Sequence, residues 1–170
     1  FLLLDDIVGF IGKDHYEEFA HPFLKRICDA FPPDWVKVYH NDASVAACLD
    51  RLPDAGFDAL NWSHNTPMTE AVSRAKDAGV QWIICEVDHI DQIEPALAGG
   101  TSHLLCDNMT PAQLREAVAL VAGRVPIEAS GGVRLDTIAE IAATGVTYVS
   151  VGRLTQSAPA ADIGLDFTPL

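Results

Sequence analysis

Short apolar runs alternate with segments of helical periodicity along the whole chain. The runs are rich in Val, Ile and Leu and do not alternate cleanly between apolar and polar residues, which is typical of parallel strands that are buried on both faces. The pattern predicts strands at Phe1–Leu4, Val36–Tyr39, Phe57–Leu60, Gln81–Val87, Ser102–Cys106, Pro126–Ala129 and Thr147–Val151. Between them it predicts helices at His15–Ala30, Ala43–Leu52, Thr69–Ala78, Ile90–Leu97, Thr110–Val121 and Leu135–Thr144.

This regular alternation predicts an α/β fold in which crossover helices join parallel strands. A closed β/α barrel has eight strands and about 250 residues, whereas this chain has 170 residues. We therefore predict a TIM-type (β/α) barrel that is incomplete, with about seven β/α units. A doubly wound open sheet is the alternative, although no Gly-x-Gly-x-x-Gly follows the first strand to support it.

The charge of the chain narrows the choice of partners. It has 24 acidic and 11 basic residues, which gives a formal net charge of −13. Such a field repels nucleic acid and anionic membranes, and no apolar run approaches the roughly 18 residues of a membrane span. We expect neither nucleic acid nor membrane as a partner.

The four cysteines form no Cys-x-x-Cys pair, which favours free thiols and a cytoplasmic location.

Polar residues follow most of the predicted strands, where the active sites of β/α barrels lie. Glu86 and Asp107 end successive strands, and two carboxylates at one opening could bind magnesium, stabilise a developing cation or transfer protons. Asp5, Asp6 and His40 follow the first two strands in the same way. For any single position, capping of the next helix explains the residue equally well.

The sharpest local signal is Ser130-Gly131-Gly132, which follows the sixth predicted strand. Paired glycines let backbone N–H groups approach an anion closely, and a helix that begins near Arg134 would add its N-terminal dipole. Gly152 follows the next strand, and barrels commonly bind phosphate in the loops after their last two strands. The pair favours a phosphate site over two tight turns that merely need glycine.

Residues 69–170 resemble the C-terminal barrel region of quinolinate phosphoribosyltransferase. The matching stretches are Glu86-Val87-Asp88, Leu105-Cys106-Asp107-Asn108-Met109-Thr110-Pro111, Glu128-Ala129-Ser130-Gly131-Gly132-Val133 and Ser150-Val151-Gly152, continuing through Leu154-Thr155-Gln156-Ser157-Ala158-Pro159. The resemblance implies phosphoribosyl transfer from phosphoribosyl pyrophosphate to quinolinate, with magnesium, giving nicotinate mononucleotide, pyrophosphate and carbon dioxide.

The same resemblance assigns roles to individual positions. Glu86 and Asp107 match the acidic pair near the ribose and the reacting centre, and the phosphate-binding positions match Ser130, Gly131, Gly132 and Gly152. The family often has Ala at position 153 and His at position 156, where this chain has Arg and Gln. The basic residues that neutralise the two anionic substrates in the family have no match here, so whether turnover survives stays open.

Residues 1–68 instead resemble uroporphyrinogen decarboxylase-type proteins. The evidence is Leu4-Asp5-Asp6-Ile7-Val8-Gly9-Phe10, Phe19-Ala20-His21-Pro22-Phe23-Leu24-Lys25-Arg26-Ile27, Tyr39-His40-Asn41-Asp42 and Gly56-Phe57-Asp58-Ala59-Leu60-Asn61-Trp62. This half implies a second site at Asp5, Asp6 and His40.

The two resemblances meet near residue 68, which predicts a chimera or a fragment that forms one barrel-like domain. We expect no set of metal ligands built by the chain itself. A uroporphyrinogen decarboxylase or cobamide methyltransferase-like activity is one alternative function. A catalytically silent scaffold, as a homodimer that completes the missing strand, is another.

Overall fold

Seven parallel strands form one curled sheet in which every strand neighbours the next one in sequence. The computed structural model describes residues 1–63, 66–158 and 160. The strands are β1 (Leu2–Leu4), β2 (Val38–Asn41), β3 (Ala59–Trp62), β4 (Trp82–Val87), β5 (His103–Asp107), β6 (Ile127–Ser130) and β7 (Tyr148–Val149). This is an α/β half-barrel, which confirms the predicted incomplete barrel. Among the described residues, β1 pairs only with β2, and β7 only with β6.

Helices connect the strands. They are α1 (Lys13–His15), α2 (His21–Asp29), α3 (Leu52–Ala55), α4 (Met68–Asp77), α5 (Ile93–Gly99), α6 (Pro111–Val121), α7 (Ile138–Ala142) and α8 (Arg153–Gln156). A π-helical turn, Tyr16–Ala20, joins α1 to α2, and short 3-10 turns lie at Ile7–Phe10 and Ile90–Gln92. Among the described helices, none is long and apolar enough to cross a membrane.

Two predicted helices differ from the structure. Residues 43–51 form no helix: residues 46–51 are turns, and the Val45 N–H just before them donates to the Thr66 hydroxyl. The helix predicted from residue 135 begins only at Ile138; residues 135–137 form a turn in which the Thr137 hydroxyl accepts a hydrogen bond from the Arg134 N–H. The start of α7 therefore lies several residues beyond Gly132, and the expected help of a helix dipole at Arg134 is wrong.

Alternation along the strands separates two faces of the sheet. One face packs against the helices and forms the core, with Leu60, Ile83, Cys85, Leu104 and Cys106 essentially inaccessible. The opposite face, here called the inner face, carries His40, Asn61, Glu86, Asp107, Glu128 and Ser130. Because the half-barrel does not close over it, apolar inner-face residues such as Leu4 stay largely exposed.

All four cysteines are buried free thiols, as the sequence predicts.

Candidate functional site

The two predicted carboxylates meet at the ends of their strands. Glu86 is the second-to-last residue of β4, and Asp107 is the final residue of β5. Asp88, just beyond β4, joins them, and one carboxylate oxygen from each of the three lies within 4.8 Å of the other two. The short loop after β4 places Asp88 close to Glu86. A set of three carboxylates suits a hard divalent cation, because such ions prefer oxygen ligands.

Glu86 has a strongly perturbed titration. Burial and the nearby carboxylates of Asp42 and Asp107 raise the pKa of Glu86 to about 7, while His40 acts in the opposite direction. The carboxyl group can therefore gain or lose a proton near neutral pH, which is the property of a general acid or base.

The histidine predicted for a separate site belongs to this one. His40 Nδ1 donates to Asn61 Oδ1, and His40 Nε2 lies 3.1 Å from Asp42 Oδ1. Ligand atoms of His40, Asp42 and Glu86 all lie within 4.8 Å of one another. The curl of the sheet brings β2 towards β4 across β3, and sequence spacing contains no signal for that approach.

Asp5 and Asp6 have mainly structural contacts. The Asp5 carbonyl accepts a hydrogen bond from the Tyr39 hydroxyl at 3.3 Å, and the Asp6 carboxylate accepts one from the Asp42 N–H at 2.8 Å. These bonds fix the loops that follow β1 and β2. Asp6 and Asp42 also line a cavity of about 430 Å³ with Gly9 and Phe10.

The predicted phosphate-binding residues do come together. Ser130, Gly131, Gly132 and Gly152 line one cavity of about 390 Å³, together with Arg153 and the residues Val133, Arg134, Ser150, Gln156 and Ser157. We call this cavity the glycine cup. Its position beside Asp107 follows from register, because Asp107 pairs with Ser130 across β5 and β6.

Glycine is required in the cup for two reasons. Gly131 and Gly132 have φ values of 87° and 61°, a left-handed conformation that glycine adopts without strain. In addition, a Cβ on Gly131 would lie only 2.2 Å from Asn108 Oδ1 and 2.7 Å from the Asn108 backbone nitrogen. Gly152 has an ordinary helical φ, so it contributes space rather than conformational freedom.

Two arginines, Arg134 and Arg153, line the cup. The Arg134 guanidinium is paired with the Asp136 carboxylate at 3.0 Å. Arg153 stands at the start of α8 beside Gln156 and is exposed. Pro159, at the end of the last resembling stretch, lies outside the described residues.

A hydrogen-bonded pair on the inner face, made of the buried His103 and the partly buried Glu128, was missed by sequence reasoning. His103 Nε2 lies 3.0 Å from Glu128 Oε2, and the Ser150 hydroxyl donates to Glu128 Oε1. These hydrogen bonds lower the pKa of Glu128. Tyr148 stacks on the imidazole with ring centroids 5.7 Å apart. The only hint in the sequence was the alternation along β6, which places Glu128 on the same face of the sheet as Ser130.

The fold and this site define a β/α-barrel-type protein with a polar site at the C-terminal ends of its strands. The chain belongs to the family described as quinolinate phosphoribosyl transferase, C-terminal domain, whose sequence model matches residues 59–166. It belongs equally to the uroporphyrinogen decarboxylase (URO-D) family, matched over residues 2–88. The two matches overlap in residues 59–88, and the predicted boundary at 68–69, which stays a prediction, falls within that overlap.

Individual relatives agree with the first family. The chain is 33% identical over 103 residues to nicotinate-nucleotide pyrophosphorylase (carboxylating) of Rattus norvegicus, a match that covers 58% of this chain and 34% of that protein. The nicotinate-nucleotide pyrophosphorylase structure from Ehrlichia chaffeensis has a TM-score of 0.57 and 26% identity, covering 84% of this chain and 58% of that one.

A structure of KGPDC from Streptococcus mutans resembles the fold alone, with a TM-score of 0.60 at 16% identity over 92% of this chain and 77% of that one. The chain spans only about a third of the length of the rat enzyme.

Proposed function

We propose that the chain binds a phosphoribosyl ligand in the manner of quinolinate phosphoribosyltransferases. The observation that carries the proposal is the placement of the glycine cup directly beside the carboxylate group. Asp107 and Ser130 are paired across β5 and β6. Glu86 lies on the same face of the sheet, on the strand β4 that neighbours β5. A 5′-phosphate and the ribose attached to it need sites in this order along one rim.

Each part of the site has a physical role in such binding. The backbone N–H groups of Gly131 and Gly132 and the Ser130 hydroxyl donate hydrogen bonds to the phosphate oxygens. Glu86 and Asp107 accept hydrogen bonds from the ribose hydroxyls. Their negative charge also stabilises the positive charge that develops at the anomeric carbon when the leaving group departs.

Magnesium fits the residues that are present. Glu86, Asp88 and Asp107 offer three carboxylates within reach of one ion, and all-oxygen donor sets suit magnesium. When bound, magnesium neutralises the charge of a pyrophosphate group. Without a cation, the carboxylates would repel that group.

The specific reaction we propose is that of the family, in pyridine nucleotide biosynthesis. It transfers phosphoribose to quinolinate and yields nicotinate mononucleotide, pyrophosphate and carbon dioxide. We expect weak turnover, because Arg134 is already paired with Asp136 and the net charge of −13 opposes two anionic substrates. Four buried free thiols support a cytoplasmic setting for this activity.

The URO-D match supports a second candidate function in the first half of the chain. A decarboxylase or cobamide-linked activity would need Asp5 and Asp6 to face a substrate, yet both side chains already accept backbone hydrogen bonds.

A catalytically silent scaffold that dimerises through its open sheet edges is the remaining alternative. Its melting temperature would rise with protein concentration, which distinguishes it from both enzyme candidates.

The test is a calorimetric titration of the chain with nicotinate mononucleotide. Gly131→Asp should abolish binding, because it fills the cup with a carboxylate. Gly123→Asp is the matched control, since Gly123 has a similar φ of 75° but nothing within 4 Å of its Cβ position. Saturable binding by the parent chain and the control, but not by Gly131→Asp, supports the proposal. Absence of binding by a chain that melts cooperatively refutes it.

A further inference from the structure

Tyr148 is a large aromatic residue on the inner face that stays more than half exposed. Its side chain is 55% exposed, and on β7 it pairs with Glu128 of β6. Alternation along the strand places Tyr148 on the same face of the sheet as Ser150, which lines the glycine cup. An exposed aromatic ring therefore lies next to a site that suits phosphate.

The Tyr148 ring is held in place by a second ring. It stacks on the imidazole of His103, with the two planes inclined by 14°. His103 is buried, and its Nε2 donates to Glu128 Oε2 at 3.0 Å, because a carboxylate can only accept. The imidazole is therefore fixed. It covers one face of the Tyr148 ring, and the exposure of Tyr148 leaves the opposite face for another flat group.

The carboxylate of Glu128 also connects the stacked rings to the glycine cup. Glu128 Oε1 accepts a hydrogen bond from the Ser150 hydroxyl. The Ser150 N–H donates to the Ala129 carbonyl at 2.9 Å, so pairing with β6 continues from Tyr148 to the cup. Two residues along an extended strand are separated by about 6–7 Å. A ribose with its 5′ carbon spans a similar distance, so a nucleotide with its phosphate in the cup can place its base at Tyr148.

The surroundings of Tyr148 also suit the charge of a pyridine nucleotide. In such a nucleotide the ring nitrogen is bonded to ribose and carries a positive charge. The face of an aromatic ring attracts a cation. Hydrogen bonds from His103 and Ser150 lower the pKa of Glu128, so its carboxylate is negative at neutral pH and adds to that attraction.

We propose that Tyr148 stacks on the aromatic base of the phosphoribosyl ligand and thereby determines specificity for ligands that carry a base. Stacking between a base and an aromatic side chain is a favourable contact, and a ring that is already fixed loses little freedom on binding. The proposal rests on the proposed phosphoribosyl function. It adds the residue that distinguishes a nucleotide from a bare sugar phosphate.

The experiment compares nicotinate mononucleotide with ribose 5-phosphate, which lacks the base, by calorimetric titration of the full chain at neutral pH. The ratio of the two affinities isolates the contribution of the base. We expect the parent to prefer the nucleotide, and Tyr148→Leu to reduce that preference by at least about fivefold. The affinity for ribose 5-phosphate should not change, because the glycine cup and the carboxylates stay intact.

Further variants separate stacking from a structural role of Tyr148. Tyr148→Phe keeps the flat ring and should keep the preference of the parent. Tyr148→Thr places a strand-forming residue without a ring at the same position, so it should lose the preference as Tyr148→Leu does. Phe23→Leu removes an aromatic side chain of similar exposure, 54%, from α2 and should bind like the parent. Far-UV circular dichroism and a cooperative melt verify that each variant folds.

An affinity ratio that is the same in the parent, Tyr148→Leu and Tyr148→Thr would overturn the proposal and leave phosphoribosyl binding in place. An equal loss of both ligands in the folded variants would also overturn it, because the effect would then not depend on the base. Binding of neither ligand by the parent would refute the proposed function, and the role of Tyr148 would fail with it. The titrations of the parent therefore distinguish the two failures.

Discussion

Glu86 is costly to keep ionised in the folded protein, and its replacement by glutamine should reveal that cost. Its pKa rises from 4.5 to about 7 because of burial and the carboxylates of Asp42 and Asp107. Below about pH 4.5 the group is protonated in both the folded and the unfolded chain and contributes no difference. Between about pH 4.5 and 7 the unfolded chain ionises this group while the folded chain keeps it protonated, so stability falls across this window and then stays level above it.

The shift sets an upper bound on the effect. A difference of about 2.5 pKa units corresponds to about 3.4 kcal/mol at 1.36 kcal/mol per unit. Glu86 is only partly buried and solvent screens its neighbours, so a gain of about 1–2 kcal/mol for Glu86→Gln above neutral pH is the realistic expectation. At acidic pH, the parent and Glu86→Gln should be equally stable, because both side chains are then uncharged.

Urea denaturation across this pH range, with a chelator present, measures the effect as a change in the free energy of unfolding. Glu116→Gln is the matched control, because Glu116 is exposed on α6 and away from the carboxylate group. The control should show no gain that grows with pH. A Glu86→Gln stability that tracks the parent at every pH would refute the argument that crowded carboxylates destabilise this rim.

Three further predictions concern stability. Gly131→Ala should destabilise the chain by about 2–3 kcal/mol in urea melts, because the new Cβ is strained by the left-handed backbone and also clashes with Asn108. The control is Gly79→Ala, which has the same backbone strain but no clash and should cost about 1–2 kcal/mol. Hydrogen bonds from His103 and Ser150 lower the pKa of Glu128, so the stability that the parent gains over Glu128→Gln should be present above the unfolded pKa. That advantage should be lost as the pH falls through the lowered pKa of Glu128 in the folded protein, and the free energies of unfolding of the two proteins at decreasing pH would show the loss. An advantage that persists in acid would contradict the prediction. Thr110→Ala should cost about 1 kcal/mol by thermal melting, because Thr110 caps α6, and an unchanged midpoint would count against the cap.

Local information was sufficient for the sheet and for the glycine cup. Each predicted strand overlaps an observed one, as with Gln81–Val87 and β4, because buried parallel strands need continuous apolar runs. The cup was predictable because two consecutive glycines after a strand permit the left-handed conformation that Gly131 and Gly132 adopt. The helix predicted over residues 43–52 was wrong for residues 43–51, whose spacing is helical but which form no helix, with the Val45 N–H bonded to the distant Thr66 hydroxyl.

The approach of His40 to Glu86 could not be predicted in the same way. It depends on the register of β2, β3 and β4 and on the curl of the sheet, and neither is written in any single motif. The pairing of His103 with Glu128 is similarly non-local, since the two residues are 25 positions apart. Side chains that meet across strands are accessible to sequence reasoning only after the register is known.

Asn61 connects three neighbouring strands at the candidate site. It lies on β3, within the overlap of the two family matches, and its amide touches both flanking strands: Oδ1 accepts from His40 on β2, and Nδ2 donates to Ile84 on β4. A barrel built from successive β/α units depends on complementarity between adjacent strands. Asn61 provides it in the buried interior, where an unpaired amide would be destabilising. The bond from His40 also orients the imidazole ring, whose ligand atom lies within 4.8 Å of one on Glu86, so a contact between neighbouring strands helps to assemble the candidate site.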